Sequence, residues 1–143
     1  MDANKRKISS SLKNKIIDIC KKEKNILTVY IFGSYGTNYQ RKDSDLNLAI
    51  LFDESPEVMR QMELAGKFEL KLGIEVDLIN LNKADIILKH DVITKGEKIY
   101  SQDDIRTADF KEYVFKYGPD AKISKKKIRE DYIAGLKEEL KWS

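Results

Sequence analysis

The sequence predicts an α/β (α+β) chain, in which a small mixed β-sheet is flanked by helices and followed by a helical C-terminal tail. Three observations carry that expectation. Residues 26–32 (ILTVYIF) and 45–52 (DLNLAILF) are apolar runs rich in β-branched and aromatic residues, the composition of strands. Residues 74–81 (IEVDLINL) begin in strict alternation, the period of a half-buried strand. Around these runs, apolar residues recur three and four apart, the helical period. A length of 143 residues suits one sizeable core. A single domain over 1–143 is therefore expected, with about 1–100 forming the core that carries chemistry and about 101–143 the tail.

Each element has its own warrant. Ser9, Ser10 or Ser11 can cap a first helix with Leu12, Ile16, Ile19 and Cys20 on one stripe. The second strand is continuously apolar from Ala49 to Phe52, which predicts burial on both faces at its far end. Ser55 and Pro56 suit the N-cap and first position of a helix. Val58, Met62, Ala65 and Leu72 trace its expected apolar face, and Gly73 suits its stop. In the third strand, Ile74, Val76 and Leu78 should oppose Glu75, Asp77 and Ile79. A short helix over 84–90 and a small strand over 97–100 come next. The tail is expected as a helix over 104–117, broken at Gly118-Pro119, and another capped by Ser124 carrying Ile128, Tyr132, Leu136 and Leu140.

Composition removes several function classes. A net charge of +3 is too small to argue for direct nucleic-acid binding. One cysteine excludes an internal disulfide framework, and one histidine excludes a multi-histidine metal site. The N-terminal residues lack a signal-peptide core and no 18-residue apolar run follows, so no membrane segment is expected and a cytoplasmic location is the default. The clusters Lys5-Arg6-Lys7, Lys21-Lys22-Lys24 and Lys125-Lys126-Lys127 read as solvated helix faces. Cys20 reads as core filler and His90 as a capping or surface residue. Core packing should take most of Phe110, Tyr113, Phe115, Tyr117 and Tyr132, leaving some for a partner-facing patch. Phosphate-loop, H-E-x-x-H and cysteine-rich zinc motifs are absent from the sequence.

The chemistry gathers around the first two strands. Positions 45 and 47 share a strand face about 6.6 Å apart. Oxygen ligands there could clamp two divalent cations about 3.5–4 Å apart, as in phosphoryl transfer. Asp77 is the natural third ligand if its strand lies alongside. Gly33 lets backbone approach a phosphate, Ser34 adds a hydroxyl donor, and Arg41 and Lys42 could balance phosphate charge. Plainer readings stand beside these. Asp45 and Asp77 also fit solvated strand ends, Asp43 and Ser44 turn residues, and Arg41 and Lys42 surface charge.

Gly33-Ser34, ten intervening residues, then Asp45-Leu46-Asn47 resembles the G-S-x10-D-x-D signature of the polymerase-β-like nucleotidyltransferases. Length and element order are most similar to the minimal nucleotidyltransferase (MNT) antitoxins of that superfamily. Arg41, Asp43, Ser44 and Asp45 match the family's R-x-D-S-D run, Asp77 its third acidic residue, and residues 96–120 resemble the end of these antitoxins. Thr37-Asn38 stands where Arg-Gly is common; Asn38 tolerates a left-handed backbone, but a charge is lost at Thr37.

The resemblance implies the sheet of that superfamily, with catalytic and metal-binding roles for Asp45, Asn47 and Asp77 around two Mg2+ ions. It also implies ATP as substrate, seated by Gly33, Ser34, Arg41 and Ser44. The implied partner is a HEPN-type ribonuclease toxin, which receives AMP on a tyrosine hydroxyl. Asn47 departs from the second Asp, keeping an oxygen but losing a charge. A metal hold weaker by about 3–4 kcal/mol would slow transfer about 10²–10³-fold. Either a naturally altered site or a deliberately replaced Asp would produce this sequence. Two alternatives stay open: a binding-only antitoxin, and a transferase acting on a small molecule such as an aminoglycoside, for which the chain is short.

Overall fold

The computed structural model describes residues 10–32 and 46–142. In order these form α1 (Ser10–Lys22), β1 (Ile26–Phe32), β2 (Leu46–Phe52), α2 (Val58–Leu72), β3 (Val76–Asn80), α3 (Ile86–Lys95), β4 (Glu97–Ser101) and α4 (Asp104–Trp142). The four strands make one mixed sheet in the order β3-β2-β1-β4. β1 runs antiparallel to β2 and β4, whereas β2 and β3 are parallel. Parallel neighbours need a crossover, and α2 supplies it.

Strand alternation divides the core into two layers. Leu46, Leu48, Ile50 and Phe52 of β2, with Val29 and Ile31 of β1, pack with Ile16, Ile19 and Cys20 of α1 and Leu64 and Phe68 of α2. On the opposite face, Leu27, Tyr30, Ala49 and Leu51 pack with Leu81 and Val92, and Phe110 of α4 adds to them. β2 is thus covered on both faces from Ala49 onward, as its apolar run predicts. Each fully buried Leu or Ile contributes about 1.5–3 kcal/mol through removal from water. Cys20 lies within the first layer, and its burial pushes the thiol up to about 12.

The structure departs from expectation in the helices. α2 buries Leu64 and Phe68, while Val58 and Met62 are 66% and 62% exposed. Two apolar stripes overlap in this helix, and the one carrying the large Phe68 ring takes the core. Glu57, not Ser55, is the N-cap, and it makes no side-chain capping bond. The Ser55 hydroxyl instead accepts from Asn80 Nδ2 at 3.1 Å. At the other end Gly73 adopts φ 71, and its N–H donates to the Glu69 carbonyl, the left-handed stop its position predicts. β3 is shorter than 74–81, and the helix expected over 84–90 lies at 86–95, where Asp85 caps it by accepting from the Leu88 N–H.

The tail is a single helix of 39 residues, with Pro119 inside it, not two helices broken at Gly118-Pro119. An interior proline removes one backbone bond and costs about 3 kcal/mol. Contacts on both sides hold the helix continuous. The Phe115 ring meets His90 edge-on at 5.9 Å, Gly118 is buried against His90, and Lys122 Nζ lies 2.6 Å from Asp91 Oδ1. At its start, Asp103 Oδ1 accepts from the Ile105 and Arg106 N–H groups. The buried Thr107 hydroxyl lies 2.7 Å from that of Thr28 and 2.9 Å from that of Ser101, tying α4 to the sheet. His90 is therefore a packing residue between α3 and α4, not a capping or surface one. Tyr113, Phe115, Tyr117 and Tyr132 are about half exposed or more, whereas Phe110 packs against the core.

Candidate active site

Register fixes the site. β2 and β3 pair with Leu46 opposite Val76, Asn47 opposite Asp77, and Leu48 opposite Leu78. Leu46 and Val76 are buried in the α1/α2 layer, so residues 47 and 77 must project from the other face. Adjacent strands lie about 4.8 Å apart, which places the two side chains as direct neighbours. On its other side Asn47 pairs with Phe32 at the end of β1. The Leu46 N–H donates to the Glu75 carbonyl at 3.0 Å, so pairing extends to this end of the strands.

The face that carries Asn47 and Asp77 continues along the strands as Ala49, Leu51 and Ile79, which belong to the second apolar layer. That face is thus apolar under α3 and α4, and polar at the N-terminal ends of β2 and β3. Asn47 is half-buried and Asp77 exposed. A carboxylate beside an amide oxygen is a hard donor pair of the kind that suits Mg2+. The pair therefore fits an oxygen-ligated cation, although among the described residues no group of three His, Cys, Asp or Glu side chains could hold a metal by itself. Asp45 immediately precedes Leu46; it lies outside the described residues, as do Gly33, Ser34, Thr37, Asn38, Arg41, Lys42, Asp43 and Ser44.

Other titratable groups nearby serve packing. Tyr30, opposite Ala49 in the register, is buried on this face, and burial pushes its phenol up to about 12. Asp91 is held below the ordinary carboxylate range, chiefly by its hydrogen bond from Lys122. Lys125, Lys126 and Lys127 are exposed, as a solvated helix face predicts, and Lys122, Lys125, Lys126 and Arg129 also line a groove with Asp91 and Ile87. Their spacing of three and four along one helix was the available signal.

Comparison with known proteins follows the same outline. Residues 14–105 match the family "Polymerase beta, Nucleotidyltransferase". The chain belongs to this nucleotidyltransferase family. The match spans α1 to β4 and ends as α4 begins. Protein adenylyltransferase MntA of Shewanella oneidensis is 33% identical over 94 residues, 64% of this chain and 68% of that protein. A solved toxin–antitoxin structure with AMP-PNP aligns at TM-score 0.73 and 25% identity, covering 85% of this chain and 98% of that one. The MNT antitoxin in complex with the tri-AMPylated Shewanella oneidensis HEPN toxin shares the fold at TM-score 0.72 and 24% identity, covering 88% and 99%. Among the described residues, no helix of this nucleotidyltransferase is long and apolar enough to cross a membrane.

Proposed function

We propose that this nucleotidyltransferase is an antitoxin that transfers AMP from Mg-ATP to a tyrosine hydroxyl of a cognate HEPN ribonuclease toxin. The observation that carries the reading is the register pair Asn47–Asp77, at the end of β2 that follows the Gly33-Ser34 and Asp45 motif. The AMP-PNP-bound and tri-AMPylated toxin complexes of its structural relatives support the nucleotide and the acceptor.

In this reading, Gly33 and Ser34 seat the β- and γ-phosphates, and Arg41 and Ser44 add phosphate contacts. Asp45, Asn47 and Asp77 would hold Mg2+, which when bound supplies charge stabilisation for the α-phosphoryl group. Asp77 accepts the proton of the acceptor hydroxyl. The hydroxyl oxygen bonds to the α-phosphorus, the bond from that phosphorus to the bridging oxygen breaks, and pyrophosphate leaves with the bond's electrons. Asn47 supplies one neutral oxygen where a carboxylate would bring charge, which sets transfer about 10²–10³-fold below a site carrying Asp.

The test is transfer of labelled AMP to the purified toxin in Mg2+. Asn47→Asp should raise the rate and Asp77→Ala abolish it. The missing charge at Asn47 also favours a second reading, a binding-only antitoxin. Tight toxin binding with no transfer from either the chain as it stands or Asn47→Asp would establish that reading and overturn the first.

A further inference from the structure

β3 is the end strand of the sheet, so one of its edges has no neighbouring strand. In the parallel register with β2, Leu46 lies opposite Val76, and the Leu46 N–H donates to the Glu75 carbonyl. A parallel ladder in that register turns the backbone groups of Val76 and Leu78 away from β2, toward the open edge. Two of those groups are met there by side chains of α2. The Val76 N–H donates to Glu69 Oε1 at 3.2 Å, and the Leu78 carbonyl accepts from Gln61 Nε2 at 3.4 Å.

Gln61 and Glu69 lie about two helical turns apart, on either side in sequence of the buried Leu64 and Phe68 that seat α2 on the sheet. Glu69 makes a second bond at the same corner, where its carbonyl accepts from the Gly73 N–H at 2.8 Å. It thus closes α2 with its backbone and pins the start of β3 with its side chain. The Gln61 amide is itself oriented, its Oε1 accepting from Asn80 Nδ2 at 3.5 Å. Val76 and Leu78 are the immediate neighbours of Asp77, so a shift at either one moves Asp77 relative to Asn47. Asp77 is exposed, and the backbone that carries it therefore sets where its carboxylate lies. Glu69 serves as an acceptor and not as a metal ligand, because α2 covers the face of the sheet opposite to the one from which Asp77 projects.

We infer that Glu69 and Gln61 are positioning residues for the transfer step. Their hydrogen bonds to the open edge of β3 fix the backbone on both sides of Asp77 and hold its carboxylate beside Asn47. The inference rests on the proposed role of Asp77 as metal ligand and acceptor of the hydroxyl proton. Of the two, Glu69 carries the greater share, since its bond is the shorter and its acceptor is charged.

Steady-state transfer of labelled AMP to the purified HEPN toxin, with ATP and Mg2+ varied, tests the assignment, and circular dichroism checks folding. Glu69→Ala should lower kcat about three- to tenfold, the worth of one lost hydrogen bond. It should also raise the Mg2+ concentration for half-maximal rate and leave KM for the toxin unchanged. A merely structural loss would lower the active fraction and leave the Mg2+ dependence as it was. Glu69→Gln keeps an oxygen for the Val76 N–H and should restore transfer, which it would not do if Glu69 acted through its charge. Gln61→Met should give a smaller fall of the same kind. Hydrogen exchange at the Val76 N–H, read without nucleotide, should quicken in Glu69→Ala and slow again in Glu69→Gln. If the chain transfers AMP but Glu69→Ala leaves kcat, Mg2+ dependence or exchange unmoved, or Glu69→Gln fails to rescue, the inference is overturned and the proposed function stands. A chain that transfers no AMP, with or without Asn47→Asp, overturns that function and the positioning role with it.

Discussion

The two faces of the sheet are built to different ends. The face under α1 and α2 is apolar along the whole of β2, from Leu46 through Leu48 and Ile50 to Phe52. The opposite face changes character along the same strands, from Asn47 and Asp77 at one end to Ala49, Leu51 and Ile79 further on. Alternation makes the first a condition of the second. Because Leu46, Val76 and Leu48 are held in the core, strand alternation presents Asn47 and Asp77 side by side on the other face. At the N-terminal ends of β2 and β3, packing thus falls to the even positions and the proposed chemistry to the odd ones, and substitutions of the two kinds should have opposite signatures.

The largest expected effect lies on the stability face. Phe68 is fully buried between α2 and the sheet, so Phe68→Ala should cost about 3–5 kcal/mol, read as a lower denaturant midpoint. Transfer per folded molecule should not change. A cost under about 1 kcal/mol would mean that this layer is not the close-packed one. Next in size is the reverse signature at the polar end. Asn47→Asp should raise AMP transfer about 10²–10³-fold while changing unfolding by no more than about 1 kcal/mol, since the half-buried side chain lies at the open, polar end of the strands. An equally large change in stability would show that residue 47 acts as packing and would break the division between the faces.

Much of this division was readable in advance. Residues 26–32 and 46–52 became strands because β-branched and aromatic side chains leave little choice. Alternation in IEVDLINL separated Val76 and Leu78 from Asp77 and Ile79, as observed. That Asp77 neighbours Asn47 needed one more fact, the parallel pairing of β2 with β3, which a strand–helix–strand order favours. The failures are all tertiary. Nothing local tells the stripe of Val58 and Met62 from that of Leu64 and Phe68; the depth available beneath α2 decides. Gly118-Pro119 is a strong local stop signal, overridden because His90 and Asp91 of α3 grip α4 on both sides of it. Gly33, Ser34, Arg41 and Ser44, proposed above to seat the phosphates, lie with Asp45 outside the described residues, and motif spacing alone speaks for them.

That grip gives an intermediate effect. A Cβ at residue 118 would lie 2.8–2.9 Å from His90 Cδ2, Cβ and Cγ. Gly118→Ala therefore forces the imidazole aside or parts the two helices. The overpacking cost of about 1–3 kcal/mol exceeds the helix-propensity gain of about 1 kcal/mol at most sites of this kind. A lower melting temperature is the expected result, with AMP transfer unaltered because His90 is remote in role from the transfer step. An unchanged or raised melting temperature would mean that α3 and α4 pack less closely than this contact requires.

The smallest effect comes from the same substitution on the other helical layer. Gly66 lies within α2, its φ is not positive, and a Cβ there would meet nothing within 4 Å. Gly66→Ala thus removes backbone freedom from the unfolded chain without adding a clash, and should stabilise by about 0.5–1 kcal/mol. One atom added at 118 and at 66 is predicted to act with opposite sign, because one glycine meets a ring and the other meets space. Thermal unfolding of the two variants side by side reads that sign directly, and a loss of stability at 66 would place a neighbour against α2 where the sheet's apolar layer leaves none.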